Sequence, residues 1–254
     1  MWRGRRIRPL NGTPLATYAG MTLPRLRSFT LPALLDSRMS RDDARRVLNV
    51  VIALVALLAT LVPMLIIAAL IKLTSRGPVL FTQSRVGRNR RAPEHTGGNW
   101  RRHADHGGLT FTMYKFRTMR VQDPTASAPA QVWATPDDPR ITGIGRVLRK
   151  LRLDELPQLW NVVMGDMNIV GPRPEQLAIF ASLREQITEY ARRQQVLPGI
   201  TGWAQINQAY DSSVDDVRQK LTYDLEYIGK RSAMEDLKIM LLTPAVMLGR
   251  RYGW

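Results

Sequence analysis

The chain has no cysteine. That excludes disulfides, a thiolate nucleophile and cysteine-ligated zinc, and it suits a reducing compartment. Acidic residues are scarce beside basic ones, 21 against 37, leaving a formal charge of +16. An excess of that size serves an anionic partner: nucleic acid, an acidic membrane face or a phosphorylated substrate. Aromatic residues make up only 7% of the chain and do not interleave with the arginine clusters, as a stacking platform for single-stranded nucleic acid requires. Gly143 and Gly145 have no third glycine and no βαβ context, so the dinucleotide fingerprint is missing; neither a P-loop nor a Gly-x-Ser-x-Gly elbow occurs. Internal repeats are also absent.

What is present is enough for a core. The 254 residues, 44% of them apolar, allow one sizeable domain with appendages or two small ones. Residues 1–40 begin with Arg3, Arg5, Arg6 and Arg8, and Pro9, Pro14, Pro24 and Pro32 interrupt every apolar stretch. They are expected to form a disordered basic extension rather than a cleaved signal. From Val47 to Ile71 no residue is charged. A helix over Val50–Ile71 would be about 33 Å long at ~1.5 Å per residue, enough to cross a bilayer core of ~30 Å. Arg41, Arg45 and Arg46 precede the run, while Lys72, Arg76, Arg85 and Arg88 follow it, so both flanks carry the charge that marks a cytoplasmic side. Pro63, inside the run, removes a backbone donor and bends or breaks a helix. The expectation for 41–76 is a Pro63-bent membrane helix that enters one leaflet and returns.

Residues 77–250 read as a separate, mostly α domain with a few short β-strands, an α+β arrangement. Strands are predicted over 79–83 and 109–119. Between them an insert at about 89–108 lacks periodicity and holds His95, His103 and His106; their spacing fits no zinc pattern, so a solvated loop is expected. A second loop covers 120–139. Helical periodicity follows in Ile144–Leu151, Leu156–Met164, Glu175–Gln195, Val214–Gly229 and Met234–Leu248.

The chemistry concentrates in Leu153–Glu175, LDELPQLWNVVMGDMNIVGPRPE. Asp154 and Glu155 are adjacent carboxylates at the start of a predicted helix. Capping by Asp154 is only a partial explanation, because the third helical position is Pro157, which has no N–H to offer. Neighbouring carboxylates repel unless a cation lies beside them, and Mg²⁺ would both relieve that repulsion and bring a diphosphate. Arg146, Arg149, Lys150 and Arg152 lie upstream. Downstream, Arg173 stands between Pro172 and Pro174, whose restricted backbone leaves its planar fork little further ordering before it grips a phosphate. Lys115 and Arg117, at a strand end, complete a candidate phosphate clamp.

Five ordered stretches, Lys115–Met119 (KFRTM), Leu153–Gln158 (LDELPQ), Asn161–Met167 (NVVMGDM), Val170–Glu175 (VGPRPE) and Pro198–Asn207 (PGITGWAQIN), follow a basic-flanked apolar helix and GPVLFTQSRVG. In this order they closely resemble the bacterial sugar transferase family, the monotopic phosphoglycosyl transferases, over about residues 41–250. The resemblance implies transfer of sugar-1-phosphate from a nucleotide diphosphate sugar, usually a UDP-sugar, to polyprenyl phosphate, with release of UMP and a need for Mg²⁺. It implies Asp154 as the nucleophile that forms an aspartyl phospho-sugar, and Glu155 as its assistant through the metal or as a base. Arg173, with Lys115, Arg117, Arg149 and Arg152, would hold phosphate. The apolar helix becomes a re-entrant hairpin bent at Pro63, and the compact catalytic domain, with amphipathic interfacial helices, sits on the cytoplasmic face of the bacterial inner membrane. The product would start an exopolysaccharide, capsule, O-antigen or glycoprotein glycan. Large members carry further transmembrane helices and another domain before this unit, so the chain is expected to be the catalytic unit alone. Where the family has Asp shortly after the basic pair at the helix start, this chain has Asn49. A homodimer is left open, and no nucleic-acid partner is expected. The rival readings are a membrane-tethered basic protein that binds nucleic acid and a scaffold without catalysis.

Overall fold

A computed structural model describes residues 40–89, 107–121, 138–208 and 213–248. The basic extension through residue 39, the insert at 90–106 with its three histidines and loop residues 122–137 lie outside the described residues.

Helix α1 spans Arg41–Thr74 and opens on a capping box in which Ser40 and Asp43 satisfy each other's backbone N–H. It continues through Pro63, so the run is one helix and not two joined by a loop. One stripe of it faces protein: Arg45, Asn49, Ala53, Ile67 and Ile71 are buried, with Ala56, Leu57, Met64 and Ala68 packed beside them. The opposite stripe, including Val55, Leu58, Val62 and Leu65, is apolar yet exposed, Leu58 by 75%. An apolar face of that extent on a charged protein is suited to lipid rather than water.

Both ends of α1 are tied to the same domain. Near its start, Arg45 donates to Asp236 at 3.0 Å and to the Tyr227 hydroxyl at 2.7 Å, both buried. Arg46 donates to the Met167 carbonyl at 2.7 Å and the Asn168 side chain at 3.0 Å, and also to the Val162 carbonyl. Asn49 accepts from the Ile169 N–H at 2.7 Å. At the far end, Arg117 donates to the carbonyls of Ser75 and Arg76 at 2.8 and 2.7 Å.

The domain beneath is mostly helical, with two small sheets. Strands β1 (Leu80–Val86) and β2 (Thr110–Phe116) pair antiparallel, Leu80 opposite Phe116 and Val86 opposite Thr110, close to the predicted strands. Helix α2 (Gly143–Lys150) is capped by Thr142, whose hydroxyl accepts from Gly145 N–H. A single 3₁₀ turn, Leu153–Glu155, leads to α3 (Gln158–Met164), which starts after Pro157 rather than at Leu156. Strands β3 (Asn168–Val170) and β4 (Gly199–Thr201) form a parallel pair that periodicity did not predict. Their backbones approach closely enough that a Cβ on Gly199 would lie 2.1 Å from the Gly171 nitrogen, so glycine is required there.

The single helix expected over Glu175–Gln195 is instead α4 (Leu177–Gln186) and a 3₁₀ segment, Tyr190–Gln195. The break occurs at Ile187, whose backbone is extended, and it lets Tyr190 meet Phe180 with ring centroids 5.5 Å apart. Helices α5 (Trp203–Asn207), α6 (Val214–Lys230) and α7 (Ala233–Leu248) complete the domain. The main core joins Met113, Val162, Met167, Val170, Tyr227 and Ile239 to Ala53 of α1. A second cluster joins Ile67 and Ile71 of α1 to Phe116 and Leu148, and Leu156 packs against both. Leu156 follows Glu155 directly, so the residue after the carboxylate pair is anchored in the core. Helix α7 also exposes apolar side chains, Met234, Leu237 and Leu241 among them.

Candidate active site

The link from α2 into the carboxylate pair is strained. Arg152 has φ +56°, and it is the only positive-φ residue other than glycine among the described residues. A left-handed backbone costs a residue with a Cβ about 1–2 kcal/mol, and such positions collect at functional sites. The turn that follows buries Asp154 and Glu155, leaving them 8% and 7% exposed.

Three cations converge on one oxygen of Glu155. Its Oε1 lies 2.8 Å from Lys115 Nζ, 3.0 Å from an Arg173 Nη and 3.8 Å from an Arg152 Nη. Each comes from a different part of the fold: β2, the Pro-Arg-Pro loop and the strained turn. Burial alone would raise the Glu155 pKa, but Lys115, then Arg173 and Arg152, outweigh it and hold the carboxyl well below the usual range. Glu155 is therefore ionised throughout the physiological range.

Asp154 has the opposite character. Burial is the largest influence on it and pushes its pKa up, against the pull of Lys115. Its Oδ1 is buried with no hydrogen-bond partner. It does not cap α3, because Pro157 holds the cap position and no side-chain cap bond is made. The capping role considered for Asp154 is thus replaced by a buried oxygen without a hydrogen-bond partner next to a cation cluster, the kind of group that a catalytic role, an ion or an ordered water accounts for.

Of the other expected phosphate ligands, Arg149 is near enough to bear electrostatically on Asp154. Arg117 is not brought to the carboxylates; β2 ends at Phe116, and the next side chain turns to the end of α1. Arg146 and Lys150 are exposed on α2 together with Val147 and Leu151. Among the described residues no group of three or more His, Asp or Glu side chains is placed to hold a metal. Mg²⁺ needs no such cage, since one or two carboxylates with phosphate and water oxygens suffice. Asp154 and Glu155, two hard-oxygen donors with one oxygen unpartnered, fit it.

Residues without an assigned role in the sequence also build the site. Asn161, fully buried in α3, accepts from Tyr114 N–H at 3.1 Å and donates to the Thr112 carbonyl at 2.7 Å, which locks β2 and hence Lys115 in place. Its signal was a polar residue between the core positions Leu159 and Val162. Gln158, one turn after Asp154, is buried with its Nε2 unpartnered.

A family model described as "Bacterial sugar transferase" matches residues 40–250. An undecaprenyl-phosphate glucose phosphotransferase of Komagataeibacter xylinus is 40% identical over 232 residues, 88% of this chain and 40% of that protein. A UDP-glucose:undecaprenyl-phosphate glucose-1-phosphate transferase of Caulobacter vibrioides is 40% identical over 214 residues, covering 83% of this chain and 72% of the relative. An exopolysaccharide production protein of Rhizobium leguminosarum is 36% identical over 215 residues, 83% of this chain and 98% of the relative. The chain thus matches less than half the length of the first of these and nearly all of the last.

Proposed function

The chain belongs to the bacterial sugar transferase family, and from that premise we propose that it moves a sugar-1-phosphate from a UDP-sugar to undecaprenyl or another polyprenyl phosphate. The observation that carries this is the pairing of a buried, unpartnered Asp154 oxygen with a neighbouring carboxylate already surrounded by three cations. Charge of that sign and density suits a diphosphate, and the unpartnered carboxylate suits attack on phosphorus.

In the first step the Asp154 carboxylate attacks the β-phosphorus of the donor. A bond from aspartate oxygen to phosphorus forms, the bond from the β-phosphorus to the bridging oxygen breaks, and UMP leaves with that oxygen. In the second step an oxygen of the polyprenyl phosphate attacks the same phosphorus, the aspartyl bond breaks, and polyprenyl-diphosphate-sugar departs with Asp154 restored. Arg173, Lys115 and Arg152 hold the phosphoryl oxygens and spread their charge, and Arg149 supports them. Glu155, held ionised by its cations, is a weak base; we assign it the role of organising those cations. Mg²⁺, when bound by Asp154 and Glu155, would neutralise charge on the diphosphate.

The apolar outer stripe of α1 and the exposed face of α7 are assigned to the bilayer, with the domain on the cytoplasmic side of the inner membrane. Arg45 and Arg46 at one end of α1 and Arg117 at the other bind the ends to one domain, which favours a helix that dips into a single leaflet over one that spans. Tags at residues 1 and 254 should both be protected in intact cells, and opposite accessibility would refute this topology. The site is thereby kept at headgroup depth, where a lipid phosphate resides.

The experiment that tests the activity is UMP release by the purified chain with undecaprenyl phosphate and a panel of UDP-sugars, UDP-glucose first because two of the relatives are glucose-phosphate transferases by name. Chelation should stop release and Mg²⁺ restore it. A nucleic-acid-binding protein would instead show salt-sensitive DNA binding indifferent to Asp154.

A further inference from the structure

The loop that carries Arg173 is held at every carbonyl from Pro172 to Glu175. The Pro172 carbonyl accepts from Gly199 N–H at 2.9 Å and the Glu175 carbonyl from Val86 N–H at 3.0 Å. The two between them accept from arginine side chains. Arg193 donates to the Arg173 carbonyl at 3.1 Å, and Arg85 donates to the Pro174 carbonyl at 3.1 Å. With two prolines lacking donors, this loop cannot brace itself through its own N–H groups there, so its conformation depends on groups supplied from elsewhere.

Arg193 is itself held rigidly. Its side chain is 2% exposed, its Nε donates to Asp224 at 2.7 Å, and its Nη1 donates to the Tyr190 hydroxyl at 2.5 Å. Nη1 also lies 3.6 Å from Glu175, whose carboxylate is 3.5 Å from Lys220. One planar fork thus joins α6, the 3₁₀ segment and the loop, with Nη2 left to grip the carbonyl of Arg173. A lysine could replace the charge, but its three donors sit on one nitrogen and cannot reach three partners spread around a planar fork. The contact with Glu155 is made by the Arg173 guanidinium at 3.0 Å.

We propose that Arg193, oriented by Asp224, is a positioning residue that aims Arg173 at Glu155 and so completes the cation cluster for the donor's diphosphate, an inference that rests on the transferase reading above. It acts through the backbone of the residue it positions. Arg85 supports the next carbonyl in the same way, with burial lowering its pKa to about 10, still cationic at neutral pH.

Spectra of the full chain in nanodiscs with ¹⁵N-labelled arginine test this without turnover. The Nε–Hε signal of Arg173, identified by its loss in Arg173→Lys, is expected away from the free-arginine position in wild type and collapsed toward it in Arg193→Lys. The Arg45 signal should stay in place. An unmoved Arg173 signal in a folded Arg193→Lys protein would overturn the proposal. In the UMP-release assay, Arg193→Lys should lower kcat about tenfold, with KM less affected, as expected for a displaced catalytic group. In an Arg173→Ala background the same change should cost less than about twofold; an equal loss in both backgrounds would mean a structural role only. Arg85→Lys, which frees the Pro174 carbonyl, provides the same comparison if Arg193→Lys does not fold. A wild-type chain silent with every UDP-sugar would refute the transferase reading, and the Arg173 signal would still decide the role of Arg193.

Discussion

Two clusters of opposite charges, one at the start of α1 and one at the Leu153–Glu155 turn, are balanced differently. At the start of the helix Arg45 meets Asp236 with side chains 7% and 0% exposed, and Tyr227 and Asn49 complete the set. At the turn, Glu155 faces three cations whose side chains are 16% to 32% exposed, beside an aspartate with an unpartnered oxygen. The first is closed and paired, so it fastens the helix to the domain. The second is open, cation-rich and incomplete, so it has capacity left for an anion. Both look alike as a list of charged residues, and only the balance of charge and access separates a structural clasp from the reaction centre proposed here.

The largest expected effect separates them most cleanly. Asp154→Asn should lower transfer by at least about 10³-fold, as loss of a covalent nucleophile does, while the protein stays folded. Because burial raises the Asp154 pKa, the folded state holds that proton to higher pH than the unfolded chain does. The stability this adds is present in acid and is lost as pH rises through the raised value. At pH 7 the Asn variant should therefore melt no lower than wild type, and its advantage should vanish on acidification. Asp236→Asn should do the reverse, costing about 3–5 kcal/mol by stranding Arg45 and lowering Tm by on the order of 10 °C, with turnover per folded molecule retained. If Asp236→Asn abolished turnover at unchanged Tm, the division between clasp and reaction centre would fail.

Smaller effects sharpen the same contrast. Arg173→Ala should reduce kcat/KM by roughly ten- to hundredfold through lost charge stabilisation and change Tm little, since its side chain is a third exposed. The smallest is a displacement along the pH axis. The acid limb of kcat/KM should lie above the ordinary Asp value of 3.8, because burial raises the group that must ionise. Glu155 should contribute no limb in that range. An acid limb at or below 3.8 in the wild type would show that burial does not govern Asp154.

Much of this was legible in the residues, and the exceptions have physical reasons. Strands β1 and β2 and helices α2, α6 and α7 followed from periodicity. Asp154, Glu155 and Arg173 stood out because adjacent carboxylates and a proline-flanked arginine are hard to explain as surface decoration. Lys115 and Arg117 looked equivalent, two apart on a strand, yet the strand ends between them and alternation no longer governs the second. Arg45 and Arg46 read as part of the basic flank that marks a cytoplasmic side, and their side chains are occupied by Asp236, 191 positions from Arg45, and by backbone carbonyls. No local pattern encodes such a partner. Strands β3 and β4, three residues each, are too short for a period of two to show. Arg193 was hidden inside what read as a long helix; the chain breaks at Ile187, and Tyr190 packs on Phe180 across that break.

The most direct test of the account is intact-mass analysis of the wild-type chain and Asp154→Asn after incubation with Mg²⁺ and the active UDP-sugar, without lipid acceptor. The account predicts a phospho-sugar adduct on the wild type, absent from the variant and discharged when polyprenyl phosphate is added. An adduct that persists in Asp154→Asn, or transfer that proceeds with no adduct, would contradict it.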